Sequence, residues 1–129
     1  MKALTLRQPW ATLVALGAKR IETRSWRTFY RGPLAIHAGK TLPAWQFRSV
    51  LEAYGIHSFM DLPLGVVVAT CTLVRIVRIY PDNTPPTPEF YYGNYTPGRW
   101  AWYLSDVKAL AEPVPARGGL GLWEVIFRT

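Results

Sequence analysis

Apolar residues recur along this chain in two spacings, every second position in most segments and at helical intervals in two. "ALTL" (residues 3–6) reads as a short strand. In the following "RQPWATLVALGAK", Trp10, Leu13, Val14 and Gly17 fall at i, i+3, i+4 and i+7, one face of a helix. Pro9 suits its first turn and Gly17 its end. "RIETRSW" (20–26) alternates, sending Arg20, Glu22, Arg24 and Trp26 to one side and Ile21, Thr23 and Ser25 to the other. A turn through Gly32 and Pro33 leads into a strand over "LAIHA" (34–38). A second helical stripe, Trp45, Val50, Leu51 and Tyr54, lies in residues 42–56 and stops at Gly55.

"LGVVVATCTLVRIVRIY" (64–80) is β-branched and too long for one simple strand, so it is expected to bend or to run along a barrel edge. "PDNTPPTPEFYYGNYTP" (81–97) is too proline-rich for a central strand and too aromatic for a plain linker. "RWAWYLSDVKAL" (99–110) and "GLGLWEVIFRT" (119–129) read as closing strands. Two helices among five to seven irregularly spaced strands predict an α+β fold, a small and partly open β-barrel with two flanking helices. No repeat or composition break divides residues 1–129, which read as one domain.

Composition narrows the function. Half the residues are apolar and 18% are charged, which excludes a disordered chain. No apolar run reaches the roughly 18 residues of a membrane span, and the N-terminus lacks the apolar core of a signal peptide. The one cysteine, Cys71, lies in an apolar run and fits a buried thiol in a reducing compartment, so a cytoplasmic location is expected and a cysteine-based metal site is not. The net charge of +7 is carried entirely by residues 1–40, where Lys2, Arg7, Lys19, Arg20, Arg24, Arg27, Arg31 and Lys40 face Glu22 alone. Clustered cations with Trp10, Trp26, Phe29 and Tyr30 among them point to a polyanion, RNA first and DNA as a compatible second.

Candidate chemistry gathers at Lys19, Glu22 and Arg24, with His37 and Lys40 following. A carboxylate among cations stays ionised and suits orienting a lysine or a substrate amine better than donating a proton. Lys19, desolvated beside arginines, would serve as a base, and Arg24 would hold a phosphate or an oxyanion. The same residues also fit a solvated ion pair on an exposed strand, worth about 0–1 kcal/mol. His37 lies in an apolar strand and suits a hydrogen-bonded, partly buried role. "RGGLGL" (117–122) lacks the lysine and spacing of a phosphate-binding loop. Tyr91, Tyr92 and Tyr95 are candidates to stack on bases from a loop. No cofactor is implied.

The stretch from Leu4 to Lys40 resembles the ASCH domain, a PUA-like barrel family. The likeness runs through Gln8-Pro9-Trp10, Gly17, Lys19, Glu22, Arg24, Trp26, Arg31-Gly32, Ile36-His37-Ala38 and Lys40, with weaker support from "RWAWYL" and "GLGLWEV". The resemblance implies a barrel with a cleft for RNA or a nucleotide-like ligand, lined by Gln8, Trp10, Lys19, Arg24, Trp26, Arg31, His37 and Lys40. It also implies kinship with ribonucleases, DNA binders and an amidohydrolase branch acting on N4-acetylcytidine. That branch carries Lys-x-x-Thr-x-Arg with threonine as nucleophile. Here Lys19 and Arg24 match, but Glu22 occupies the threonine position, as in the coactivator-like branch.

Two functions follow as expectations. One is a nucleic-acid-binding module whose cations track phosphates while Glu22 accepts from a base. The other is a hydrolase of RNA or of an acylated nucleoside, with Lys19, Glu22 and Arg24 as its catalytic set. A protein-interaction role for residues 81–97 is a third expectation.

Overall fold

The computed structural model describes residues 1–41, 43–44 and 47–126. The strands are β1 (Lys2–Leu6), β2 (Ile21–Arg24), β3 (Gly32–Ala38), β4 (Val66–Arg78), β5 (Trp100–Pro115) and β6 (Leu122–Glu124). They form one curled sheet in the order β2-β5-β4-β3-β1-β6, with β1 and β3 parallel and every other pair antiparallel. Helices α1 (Trp10–Ala15) and α2 (Arg48–Ala53) flank it. The expected partly open α+β barrel is what the chain forms. Trp45 of the second expected helical stripe lies outside the described residues.

At six residues, α1 is too short to persist alone in water and holds its shape by packing. Ala11 and Val14 enter the main core with Leu4, Leu34, Ile36, Leu73 and Trp102, while Leu13 joins Leu51, Leu62 and Tyr92 on the other side. Gly17 ends the helix at φ +81, and the N–H groups of Ala18 and Lys19 both return to the Leu13 carbonyl. That reversal drives Lys19 inward at the start of β2.

β4 is an interior strand, bonded to β3 and β5, and it bends through bulges rather than running along an edge. β5 continues to Pro115, beyond the alternating stretch that marks it in the sequence. Its second half is mostly exposed, and Asp106, at φ 50, sits where the ladder shifts register between Ser105 and Lys108. Cys71 is buried in the main core, and burial pushes its thiol up to about 12.

β2 and β1 have no ladder between them, so the curled sheet leaves a seam there. Side chains close it. The Arg24 guanidinium reaches the Thr5 carbonyl of β1 at 2.8 Å, and the Trp102 indole donates to the Trp26 carbonyl at 3.3 Å. The principal polar cleft opens at this seam.

Candidate ligand cleft

β2 is a terminal strand bonded only to β5, which leaves one edge of backbone groups without a ladder. The motif side chains supply what a neighbouring strand would. Lys19 Nζ donates to the Ile21 carbonyl, Arg99 Nη2 to the Thr23 carbonyl at 3.4 Å, and Glu22 Oε1 accepts the Thr23 N–H at 3.2 Å. The proline-rich loop is tied to the same edge. Lys19 Nζ also donates to the Tyr92 carbonyl at 2.8 Å, and Thr23 Oγ1 accepts the Asn94 N–H at 2.9 Å. Residues 91–94 of this loop are therefore a cleft wall, clamped to β2.

Lys19 is fully buried and spends its donors on two carbonyls and on Glu22 Oε1, 3.4 Å away. Glu22 Oε2 receives Arg24 Nε at 3.0 Å and lies 2.9 Å from Arg24 Nη2. With the Thr23 N–H and Lys19 on Oε1, the carboxylate has partners on both oxygens. A buried ammonium and a guanidinium thus share one carboxylate, leaving a net positive charge at the base of the cleft. Arg24 Nη1 makes no bond among the described residues, and the same holds for Nη1 of Arg99.

The cleft measures about 490 Å³ and is lined by Thr5, Arg7, Trp10, Glu22, Thr23, Arg24, Tyr91, Tyr92, Gly93, Asn94 and Arg99. The expected set divides around it. Trp10, Glu22 and Arg24 face the cleft, and Lys19 lies buried behind it. Gln8 is buried and holds α1 in place, accepting the Thr12 N–H and donating to the Pro63 carbonyl. Trp26 stands edge-on against Trp102 at 4.8 Å, and Arg31 bonds the carbonyls of its own turn. His37 and Lys40 line a different cavity.

Of the three loop tyrosines, only Tyr91 is exposed. Tyr92 packs on Phe47, and Tyr95 stacks on Phe90 at 5.5 Å. Burial, reinforced by Glu89, raises both phenols. Sequence reasoning counted Arg7 only within the basic cluster and missed Arg99 and Asn94. Arg99 lies outside the basic N-terminal region, and its approach to β2 depends on the fold of the loop before it. Thr23, assigned by alternation to the opposite face from Glu22, also lines the cleft, because the loop wraps the open edge of β2.

The sequence profile of the ASCH domain matches residues 4–114. The chain belongs to the ASCH domain family. Activating signal cointegrator 1 of Homo sapiens and that of Mus musculus are each 48% identical to it over 50 residues, 39% of this chain and 9% of theirs. The ASCH protein of Zymomonas mobilis superposes with a TM-score of 0.54 at 14% identity, over 88% of this chain and 72% of that one. Its Y47F variant gives 0.54 at 16% identity over 88% and 74%. At that identity the likeness is one of fold. Among the described residues of this ASCH domain, no helix is long and apolar enough to cross a membrane. Nor do three His, Cys, Asp or Glu side chains of those residues gather as metal ligands would.

Proposed function

We propose that this ASCH domain binds single-stranded nucleic acid, RNA in the first place, through the seam cleft. The observation that carries the reading is the convergence of Arg7, Arg24 and Arg99 with Trp10 and Tyr91 on a cleft whose one carboxylate is already paired. Guanidinium groups hold phosphate oxygens, and aromatic faces stack on unpaired bases. Glu22 sets the position of Arg24, while Nη1 of that residue meets the ligand. Beside the cleft, Trp100 pairs with Arg24 across the ladder, and Arg27 lies over Trp100 at 4.8 Å and over Phe29 at 5.3 Å. Phe29 is 88% exposed, so this stack offers a base a further ring outside the cleft.

The hydrolase alternative asks Lys19 to lose a proton and reach substrate. Its ammonium is buried and held by two carbonyls and a carboxylate, so binding is the better supported reading. The test is a titration with a labelled single-stranded oligoribonucleotide across a salt series. Three phosphate contacts predict a slope of about −2 in log affinity against log salt. Absence of binding at low salt to single-stranded or hairpin RNA would overturn the reading. Turnover of RNA or of acylated cytidine in EDTA, lost in both Lys19→Met and Arg24→Gln, would favour the hydrolase instead.

A further inference from the structure

The second cavity is larger, about 830 Å³, and lies where the end of β3, the turn after it, the turn before β4 and the β5–β6 connection converge. That volume falls within the range of small-molecule sites. Its lining includes Lys40 and Arg117 and no Asp or Glu among the described residues. Neither cation forms an ion pair among those residues.

The connection "RGGL" (117–120) forms one wall. The backbone N–H groups of these four residues donate to no acceptor among the described residues, although the N–H of Ala116 just before them is held by the Gly65 carbonyl. Successive uncommitted N–H groups on a glycine-rich turn make an anion cradle. The spacing of a nucleotide-binding loop is absent here. Lys40, brought in from a distant part of the chain, takes the place of the loop lysine.

Two close packings show that the cavity is built rather than left over. A Cβ on Gly118 would stand 2.9 Å from His37 Cε1, so the loop rests directly on the imidazole. A Cβ on Gly65 would stand 2.7 Å from Lys40 Cε, so the lysine stem lies along bare backbone. His37 is the post beneath. Its Nε2 lies 2.7 Å from the Ala116 carbonyl, which can only accept, so Nε2 carries the proton. Nδ1 lies 3.1 Å from Thr5 Oγ1, and that oxygen accepts the Trp123 indole N–H at 3.0 Å. Every polar atom of this relay is used in holding the loop. The opposite chemistry appears at the rim, where Leu120 is 98% exposed beside Pro115 and Ala116, an apolar wall fit for a flat ring.

We propose that this cavity binds a phosphate ester the size of a mononucleotide, its phosphate on the 117–120 N–H groups, Lys40 and Arg117, its ring on Leu120. The site stands apart from the seam cleft, and its test does not depend on the cleft reading. The phosphate would come either from a free nucleotide or from the backbone of a bound RNA. Amide NMR of the 15N-labelled protein with uridine 5′-monophosphate, inorganic phosphate, uridine and a short oligouridylate separates these. Shifts of the 117–120 amides with the monophosphate and with phosphate, but not with uridine, assign a free ester. The same shifts with the oligonucleotide alone assign the backbone source, and both outcomes support the site.

Lys40→Gln and Arg117→Gln change exposed side chains and should each weaken the responding ligand about fivefold, the loss of one charge-assisted hydrogen bond. The proposal is overturned if no phosphate compound moves those amides at millimolar concentration. It is equally overturned if uridine moves them as far as its monophosphate, or if both glutamine variants respond like wild type.

Discussion

Around the seam cleft, backbone and side chains are held in place by charge. Around the second cavity, the walls are held by glycine contacts and an imidazole relay. Both cavities border Thr5, whose carbonyl receives Arg24 on one side and whose hydroxyl joins Trp123 to His37 on the other. The difference follows from the sheet. The cleft sits where the ladder is interrupted, so unpaired strand groups need buried donors, and the Lys19 ammonium serves β2 and the loop at once. The second cavity sits where β1 and β3 are paired with each other, so its strand groups need no buried donor and close packing holds the walls. A cleft at this sheet seam therefore carries its ion pairs as structure, and the proposed function assigns binding to the free guanidinium end of Arg24.

The contrast can be broken most directly at Glu22. Glu22→Ala strands the buried Lys19 ammonium and unpins Arg24, and should cost about 3 kcal/mol, the low end for breaking a buried pair because the carboxylate keeps slight exposure. Urea unfolding measures this, and a loss below about 1 kcal/mol would show that charge is not what holds the cleft. Gly118→Ala probes the other principle. Its methyl would press into His37 and should cost about 1–3 kcal/mol by overpacking, with little change in RNA affinity. Comparable damage to RNA binding would merge the two sites.

Arg24→Ala should weaken RNA about tenfold at low salt and make the salt slope shallower by about one contact, through the loss of a phosphate clamp. An unchanged slope would remove Arg24 from the interface. The smallest effect belongs to the β1–β6 edge. Glu124 bonds Lys2 and the N-terminal ammonium, which hold its carboxyl below the ordinary 4.5. A carboxyl lowered in the folded state adds stability above that ordinary value and loses it as pH falls through the folded one. Acid titration of Glu124→Gln should therefore match wild type at the lowest pH and fall slightly below it near neutrality. The exposed position keeps the gap small.

Much of this molecule was legible from pattern alone. Short apolar runs at residues 3–6 and 34–38 mark two interior strands because nearly every position in them is buried, and Gly17 marks a true helix end because its φ is positive. The Lys19, Glu22 and Arg24 grouping was visible as one carboxylate among cations. What pattern could not convey was depth. Lys19 looks solvated in a run of charges, yet it is buried because the 81–97 loop folds over it, and that closure depends on contacts some 70 residues apart. The same closure recruits Arg99 and buries Tyr92 and Tyr95. His37 and Lys40 follow the motif in sequence but diverge in space, since β3 lies three strands away from β2 in the sheet order.

The burial of Lys19 also makes it a reporter. An amine-acylating reagent meets Lys40 and Lys108 freely in the folded protein, whereas Lys19 is shielded completely and its nitrogen is occupied. Modification there can occur only in molecules whose loop has lifted from β2, through local opening or full unfolding. The rate at which Lys19 acquires label, set against those two exposed lysines as internal standards, would read how often the wall of the cleft breathes. A ligand seated across the seam should slow that one modification and leave Lys108 untouched.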